Sequence, residues 1–137
     1  METELNVKRL WFDGDRIFME TEDGKKLSQS LLWYHRLLHA TPEQRNKYRF
    51  SYSGIHWEEI DEDVSFESFT RKNDEPEGIS KLFLSHPELN ASAVARKMGM
   101  KQSLLSAYIH GHKKPSKTRE MEIRRAIRKI GRELAAV

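Results

Sequence analysis

The chain has 137 residues, with 24 Lys+Arg against 21 Asp+Glu, 37% hydrophobic residues and no Cys. That length allows one ordinary domain or two small ones, and the hydrophobic fraction can still supply a core, which argues against a wholly disordered chain. Without Cys there is no disulfide framework and no thiolate zinc cluster. The longest apolar runs are a few residues, such as Leu31-Leu32-Trp33-Tyr34, and the start Met1-Glu2-Thr3-Glu4 is acidic, so neither a membrane span nor a secretory signal is expected and a cytoplasmic location fits.

The net charge of +3 conceals a division along the chain. Residues 1–80 carry 11 Lys+Arg and 17 Asp+Glu, a net of −6, whereas residues 81–137 carry 13 and 4, a net of +9. Such asymmetry suggests two modules with different partners, the basic one being a candidate for a polyanion. The composition also changes at Arg71-Lys72-Asn73-Asp74-Glu75-Pro76-Glu77-Gly78, which contains no aliphatic or aromatic side chain and has both Pro and Gly. This stretch reads as a linker. The expected organisation is an α+β domain over 1–71, a linker over 72–78 and an all-α domain over 79–137.

In chain order, Leu5, Val7, Leu10 and Phe12, then Ile17 and Met19, then Leu27 fall in short apolar segments separated by Asp13-Gly14 and Asp23-Gly24. Both dipeptides suit tight hairpin turns, so a three-stranded antiparallel meander is expected. From Ser30 to His39 the spacing of Leu31, Leu32, Tyr34, Leu37 and Leu38 predicts a helix. Thr41-Pro42-Glu43-Gln44 has a capping residue, Pro at the first helical position and Gln three after the cap, which predicts a short second helix. A strand is expected at Tyr48 to Tyr52, continued after a bend by Gly54-Ile55-His56-Trp57. Asp61 to Asp63 reads as a cap before a short helical turn through Phe66 and Phe69. Trp11, Trp33 and Trp57 are expected to pack the core of this domain.

The stretch from Leu31 to Arg45, followed by Gly54-Ile55-His56-Trp57-Glu58-Glu59-Ile60-Asp61-Glu62-Asp63-Val64-Ser65, resembles a bacterial family labelled only as a domain of unknown function, DUF2442. The resemblance covers about residues 4 to 70. It implies a small α+β domain, sometimes fused to a helix-turn-helix and in some genomes found beside a small partner in a toxin and antitoxin arrangement. It brings no catalytic residues.

The second module contains Leu89-Asn90-Ala91-Ser92-Ala93-Val94-Ala95-Arg96-Lys97-Met98-Gly99-Met100-Lys101-Gln102-Ser103-Leu104-Leu105-Ser106-Ala107-Tyr108-Ile109-His110-Gly111. Two closely packed helices with a sharp turn need a cap, a small residue at their contact and a residue that leaves the first helix left-handed. Asn90, Ala95 and Gly99 meet these needs in turn. Val94, Met98, Met100, Leu105 and Tyr108 supply the apolar faces. This pattern, with its ending Tyr108-Ile109-His110-Gly111-His112-Lys113-Lys114-Pro115-Ser116, resembles the λ-repressor-like (Xre) helix-turn-helix family over about residues 79 to 137. Ala91 departs from it, because many members have Gln there for a phosphate contact.

The resemblance implies a sequence-specific transcriptional regulator bound to double-stranded DNA, with 101–109 as the recognition helix. If Leu105 and Tyr108 point inward, Lys101, Gln102, Ser103, Ser106 and Ala107 face the major groove. Gln102 suits adenine, Lys101 suits guanine or phosphate, and Ala107 or Leu104 a thymine methyl. Asn90, Ser92, Ser106, His112, Lys113 and Lys114 are expected on the sugar-phosphate backbone, fixing register. From Ser116 to Ala136, Ile123, Ala126, Ile127, Ile130 and Leu134 recur at helical spacing among Arg124, Arg125, Arg128, Lys129 and Arg132. This predicts an amphipathic helix of about 30 Å. Its stripe either packs on its own domain or also pairs with a second subunit.

Other chemistry is weakly supported. His35 and His39 lie four apart but have no catalytic Glu between them and no further ligand in sight. Glu58, Glu59, Asp61, Glu62 and Asp63 read as a solvated turn rather than an acid-base or Mg²⁺ site. No nucleophile, phosphate loop or metal set is found, so no enzyme, cofactor or metal is expected. The alternative to a plain regulator is an antitoxin-like adaptor whose acidic module binds a small partner protein and whose basic module autoregulates the pair.

Overall fold

In a computed structural model the described residues are 6–71 and 75–137. Leu5, at the start of the expected meander, and Lys72-Asn73-Asp74 of the expected linker lie outside them. The chain divides into two compact units, Met1–Glu75 and Pro76–Val137.

The first unit is mixed α and β. Strands β1 (Val7–Asp13), β2 (Arg16–Thr21) and β3 (Lys26–Ser30) form an antiparallel sheet in that order. Gly14 and Gly24, at φ 58° and 87°, make its two tight turns. On β2 every second residue, Ile17, Met19 and Thr21, is buried, the period-2 alternation of a sheet with one covered face. Trp11 and Phe18 pair across β1 and β2 on the other face, stacked at 5.5 Å between centroids.

The expected helix from Ser30 to His39 is broken. A 3₁₀ turn, Leu31–Trp33, is capped by the Ser30 hydroxyl, which accepts from the Leu32 N–H. Tyr34 then leaves helical space at φ −129°, and a single turn α1 (His35–Leu38) follows. At this point lies Gln29, which is fully buried and must satisfy its amide inside the fold. Its Oε1 accepts from the Tyr34 hydroxyl at 3.0 Å and its Nε2 donates to Ser68 Oγ at 2.7 Å. That tether accompanies the break at Tyr34.

Helix α2 (Pro42–Arg45) carries a complete capping box: Thr41 Oγ1 accepts from the Gln44 N–H and Gln44 Oε1 from the Thr41 N–H. Arg45 donates to the carbonyls of Leu37, Leu38 and Gly14, tying the end of α1 to the first hairpin. The next strand is shorter than expected, β4 (Arg49–Phe50), and β5 (Gly54–Trp57) does not continue it but folds back antiparallel against it. Ser51 forms the turn, its hydroxyl accepting from the Gly54 N–H. Gly54 is required there: a Cβ would lie 2.5 Å from the Val64 carbonyl oxygen on the next strand.

Asp61 to Asp63 is not a helix cap. Asp61 turns the chain at φ 51°, and Glu62 and Asp63 begin β6 (Glu62–Ser65), which completes a second antiparallel sheet, β4-β5-β6. The helical turn comes later as a 3₁₀ segment, Glu67–Thr70, whose Phe69 is buried. One core of Ile17, Met19, Leu31, Leu37, Ile55, Trp57, Val64 and Phe69 joins both sheets. Of the three tryptophans only Trp57 is fully buried; Trp11 and Trp33 are half-buried, under the guanidinium groups of Arg9 and Arg71.

The second unit is helical: α3 (Gly78–Leu84), α4 (Ala91–Met98), α5 (Gln102–Ile109) and α6 (Lys117–Ala135). Pro76 is buried and Gly78 opens α3, so the end of the expected linker belongs to this unit. Ile79, Phe83, Val94, Ala95, Met100, Leu105, Tyr108, Ile109 and Ile123 form its core. Ser80, the buried polar residue of α3, donates to the Tyr108 carbonyl at 2.7 Å.

Candidate nucleic-acid interface

The α4–α5 pair is built from the residues that its sequence singles out. Asn90 caps α4, its Oδ1 accepting the Ala93 N–H at 3.0 Å. Ala95 is fully buried, which a close approach of helices needs. Gly99 ends α4 in the left-handed conformation at φ 69°, costly for residues with a Cβ. The Met100 N–H then donates to the Ala95 carbonyl at 2.9 Å and its side chain is buried, so the corner is pinned by backbone and core together.

After the turn, Leu105, Tyr108 and Ile109 face the core, and Lys101, Gln102, Ser103 and Ser106 are exposed. Ala107 is half-buried beside them, while Leu104 packs in part against the core. Ser92 is exposed in the first turn of α4. The structure gathers Ser92, Gln102, Ser106 and His110 around one shallow groove of about 230 Å³, floored by Phe83, Leu89 and Ile109. Ala91, the position that departs from the helix-turn-helix resemblance, lines the same groove.

His110, which with His112 flanks a turn glycine beside Lys113 and reads from the sequence as a backbone or phosphate contact rather than a metal ligand, belongs to this surface. Its Nδ1 lies 3.2 Å from Ser106 Oγ and 2.9 Å from the Ser106 carbonyl, so the ring crosses the last turn of α5. Its place four residues after Ser106 was the available signal. The following turn is fixed from below: the N–H groups of His112 and Lys113 both donate to the Ala107 carbonyl, and Gly111 takes φ 77°. His112, Lys113 and Lys114 therefore project from an anchored turn and are exposed. Lys101, Lys113 and Lys114 have no ion-pair partner among the described residues.

The rival sites in the first unit are less organised. His35 and His39 meet edge to face at 4.5 Å between rings. His56 Nδ1 contacts Asp63 Oδ1 at 2.6 Å across β5 and β6. Burial pushes the Glu62 carboxyl above its ordinary value, opposed by the Asp63 N–H and the charge of Arg36. Among the described residues no three His, Asp or Glu side chains are grouped to hold a metal ion, and no helix is long and apolar enough to cross a membrane.

Residues 7–75 match a family described as protein of unknown function (DUF2442). The chain belongs to this family. The match covers the strands and short helices of the first unit and stops where α3 to α6 begin. No curated protein matches the chain. Among solved structures, a crystal structure of "Putative DNA Binding Protein NE0471" from Nitrosomonas europaea is similar at 12% identity, covering 90% of this chain and 88% of that one, with a TM-score of 0.35. A likeness of that degree carries no weight for fold or function here.

Proposed function

We propose that this member of DUF2442 is a sequence-specific DNA-binding transcriptional regulator, not an enzyme, whose second unit is a λ-repressor-like helix-turn-helix. The observation that carries the reading is the face of α5: Lys101, Gln102, Ser103 and Ser106 are exposed at its N-terminal end while Leu105 and Tyr108 are buried behind them. In that geometry the first residues of the second helix reach base edges in the major groove. Gln102 reads adenine through its amide, and Lys101 reads guanine or holds phosphate. Ser92, His112, Lys113 and Lys114 hold the backbone on either side and set the register. The Asn90 side-chain oxygen Oδ1 serves as the helix cap, so its Nδ2 is the group offered to phosphate.

The test is selection of bound duplexes from a random pool by the full chain, followed by a salt titration. A recurrent sequence, with affinity falling steeply as salt rises, is expected. Gln102→Ala should change the selected sequence, at a cost of about 1–3 kcal/mol for the lost bidentate contact. Lys113→Ala should weaken all duplexes alike. Equal loss on every sequence for Gln102→Ala would remove its reading role, and no preference at any salt would remove the function.

A second reading, the antitoxin-like adaptor, is favoured by one feature of the acidic unit: Phe50 and Tyr52 stand 48% and 77% exposed on the β4–β5 hairpin. Exposed aromatics two residues apart on one hairpin fit a protein contact. Under this reading a small basic protein covers the hairpin, and Phe50→Ser with Tyr52→Ser abolishes its co-purification while leaving DNA selection intact.

A further inference from the structure

Helix α6 has a side that the packing of the second unit does not use. It packs through Ile123, with Ala126, Ile127 and Ile130 half-buried near it. At about 100° per residue, Arg125, Arg128, Lys129 and Arg132 fall about 140–240° around the helix from Ile123, diametrically away from that core. All four are exposed.

The acidic residues of α6 are engaged elsewhere. Glu120 pairs with Arg124 at 3.3 Å, Glu122 with Arg119 at 3.7 Å, and Glu133 with Lys97 of α4 at 3.2 Å. None of the four stripe cations has an ion pair among the described residues. Arg125 and Lys129, and Arg128 and Arg132, are like charges at i,i+4, a spacing that weakens a helix unless something neutralises it. The helix dipole accounts for a cation in the last turn, which is Arg132, but not for Arg125 about two turns earlier.

We infer that Arg125, Arg128, Lys129 and Arg132 form a second polyanion surface, which holds the phosphate backbone of double-stranded DNA outside the segment that α5 reads. The inference rests on the DNA-binding reading above. A second copy of α6 is the wrong occupant, because two such stripes would set cation against cation. The stripe runs about 10 Å along the helix, the axial length of about three base pairs, so it is long enough to lie against several phosphates. It supplies affinity and no base preference.

The test compares the full chain with the variant Arg125→Gln, Arg128→Gln, Lys129→Gln and Arg132→Gln. The probes are the selected duplex alone and the same duplex flanked by random sequence. Four lost phosphate contacts should reduce the slope of log affinity against log salt by roughly 3.6, with the selected sequence unchanged. The loss should be larger on the flanked duplex. Arg125→Lys, Arg128→Lys and Arg132→Lys together should restore the slope, and single Arg128→Gln should lower it by about 0.9, which guards against an unfolded quadruple variant.

An unchanged slope would overturn the inference, as would a change in oligomeric state as the sole effect of the substitutions. If the full chain selects no sequence but the quadruple variant still loses duplex affinity, the reading of α5 fails and the stripe stands. If selection succeeds and the slope does not move, the reverse holds.

Discussion

In Met1–Glu75 the core gathers residues from Ile17 to Phe69 across two small sheets, and its helical pieces are single turns held by side chains. Gln29 bridges Tyr34 and Ser68, Arg45 gathers three carbonyls, and Trp57 Nε1 donates to the Arg45 carbonyl at 2.9 Å. In Pro76–Val137 the core comes from helices of seven to nineteen residues, each with its own apolar face, and Ser80 is the one polar residue buried within it. The two units therefore carry their information differently. The helical unit is specified by local periodicity, and the mixed unit by polar tethers between residues far apart in sequence.

The comparison can be broken most directly in the two cores. Ile123→Ala and Leu37→Ala each remove a fully buried side chain and should cost about 2–5 kcal/mol. All three tryptophans lie in the first unit, so their fluorescence follows that unit alone, while the long helices dominate circular dichroism. Ile123→Ala should lower the dichroism transition and leave the fluorescence transition in place, and Leu37→Ala should do the reverse. If both signals shift together in both variants, the units unfold as one and the contrast is lost.

A smaller effect is expected at the α4–α5 corner. Gly99→Ala places a Cβ in the left-handed region and should cost about 1–2 kcal/mol, read from the same dichroism transition. Gly99→Asn should cost less, since Asn tolerates that conformation. Equal losses would mean that strain at φ 69° is not what Gly99 relieves.

The caps come next, one in each unit. Asn90→Ala and Thr41→Ala should each cost about 1 kcal/mol. The first should appear in the dichroism transition and the second in fluorescence. No change for Thr41→Ala would show that α2 is held by Arg45 and Trp57 rather than by its capping box.

The smallest effect concerns Glu62, whose carboxyl is raised chiefly by burial. Folding favours its protonated form, so the penalty is absent below the unfolded pKa and develops as pH rises through the folded one. Glu62→Gln should stabilise the first unit slightly at neutral pH and change nothing in acid below the carboxylate range. A fluorescence transition that moves equally at both pH values would assign the effect to packing.

Much of this was legible beforehand, for reasons that differ by residue. The meander β1 to β3 follows from two Asp-Gly turns, and α2 from the Thr41 and Gln44 pair, because each signal acts within four residues. The break at Tyr34 was not legible, since the Tyr34 hydroxyl meets a buried amide whose other partner, Ser68, lies 39 residues from Gln29. Nor was the return of β5 along β4, which the Ser51 turn and the close passage of Gly54 against β6 enforce. At the candidate interface Asn90, Ala95 and Gly99 could be read from spacing, whereas the groove that joins Ser92 to His110 exists only after α3 and α4 pack on α5.

By itself the sequence determined where charge divides, which segments favour turns and caps, and which faces of α4, α5 and α6 are apolar. These are properties of neighbours within one or two helical turns, where backbone geometry alone places side chains. Tertiary structure decided which strands pair, where an apparent helix stops and which cations are left without partners. Those outcomes depend on burial: a buried polar group must find its bond wherever it lies in the chain, and an exposed charge stays free only if the fold has committed the nearby acids elsewhere.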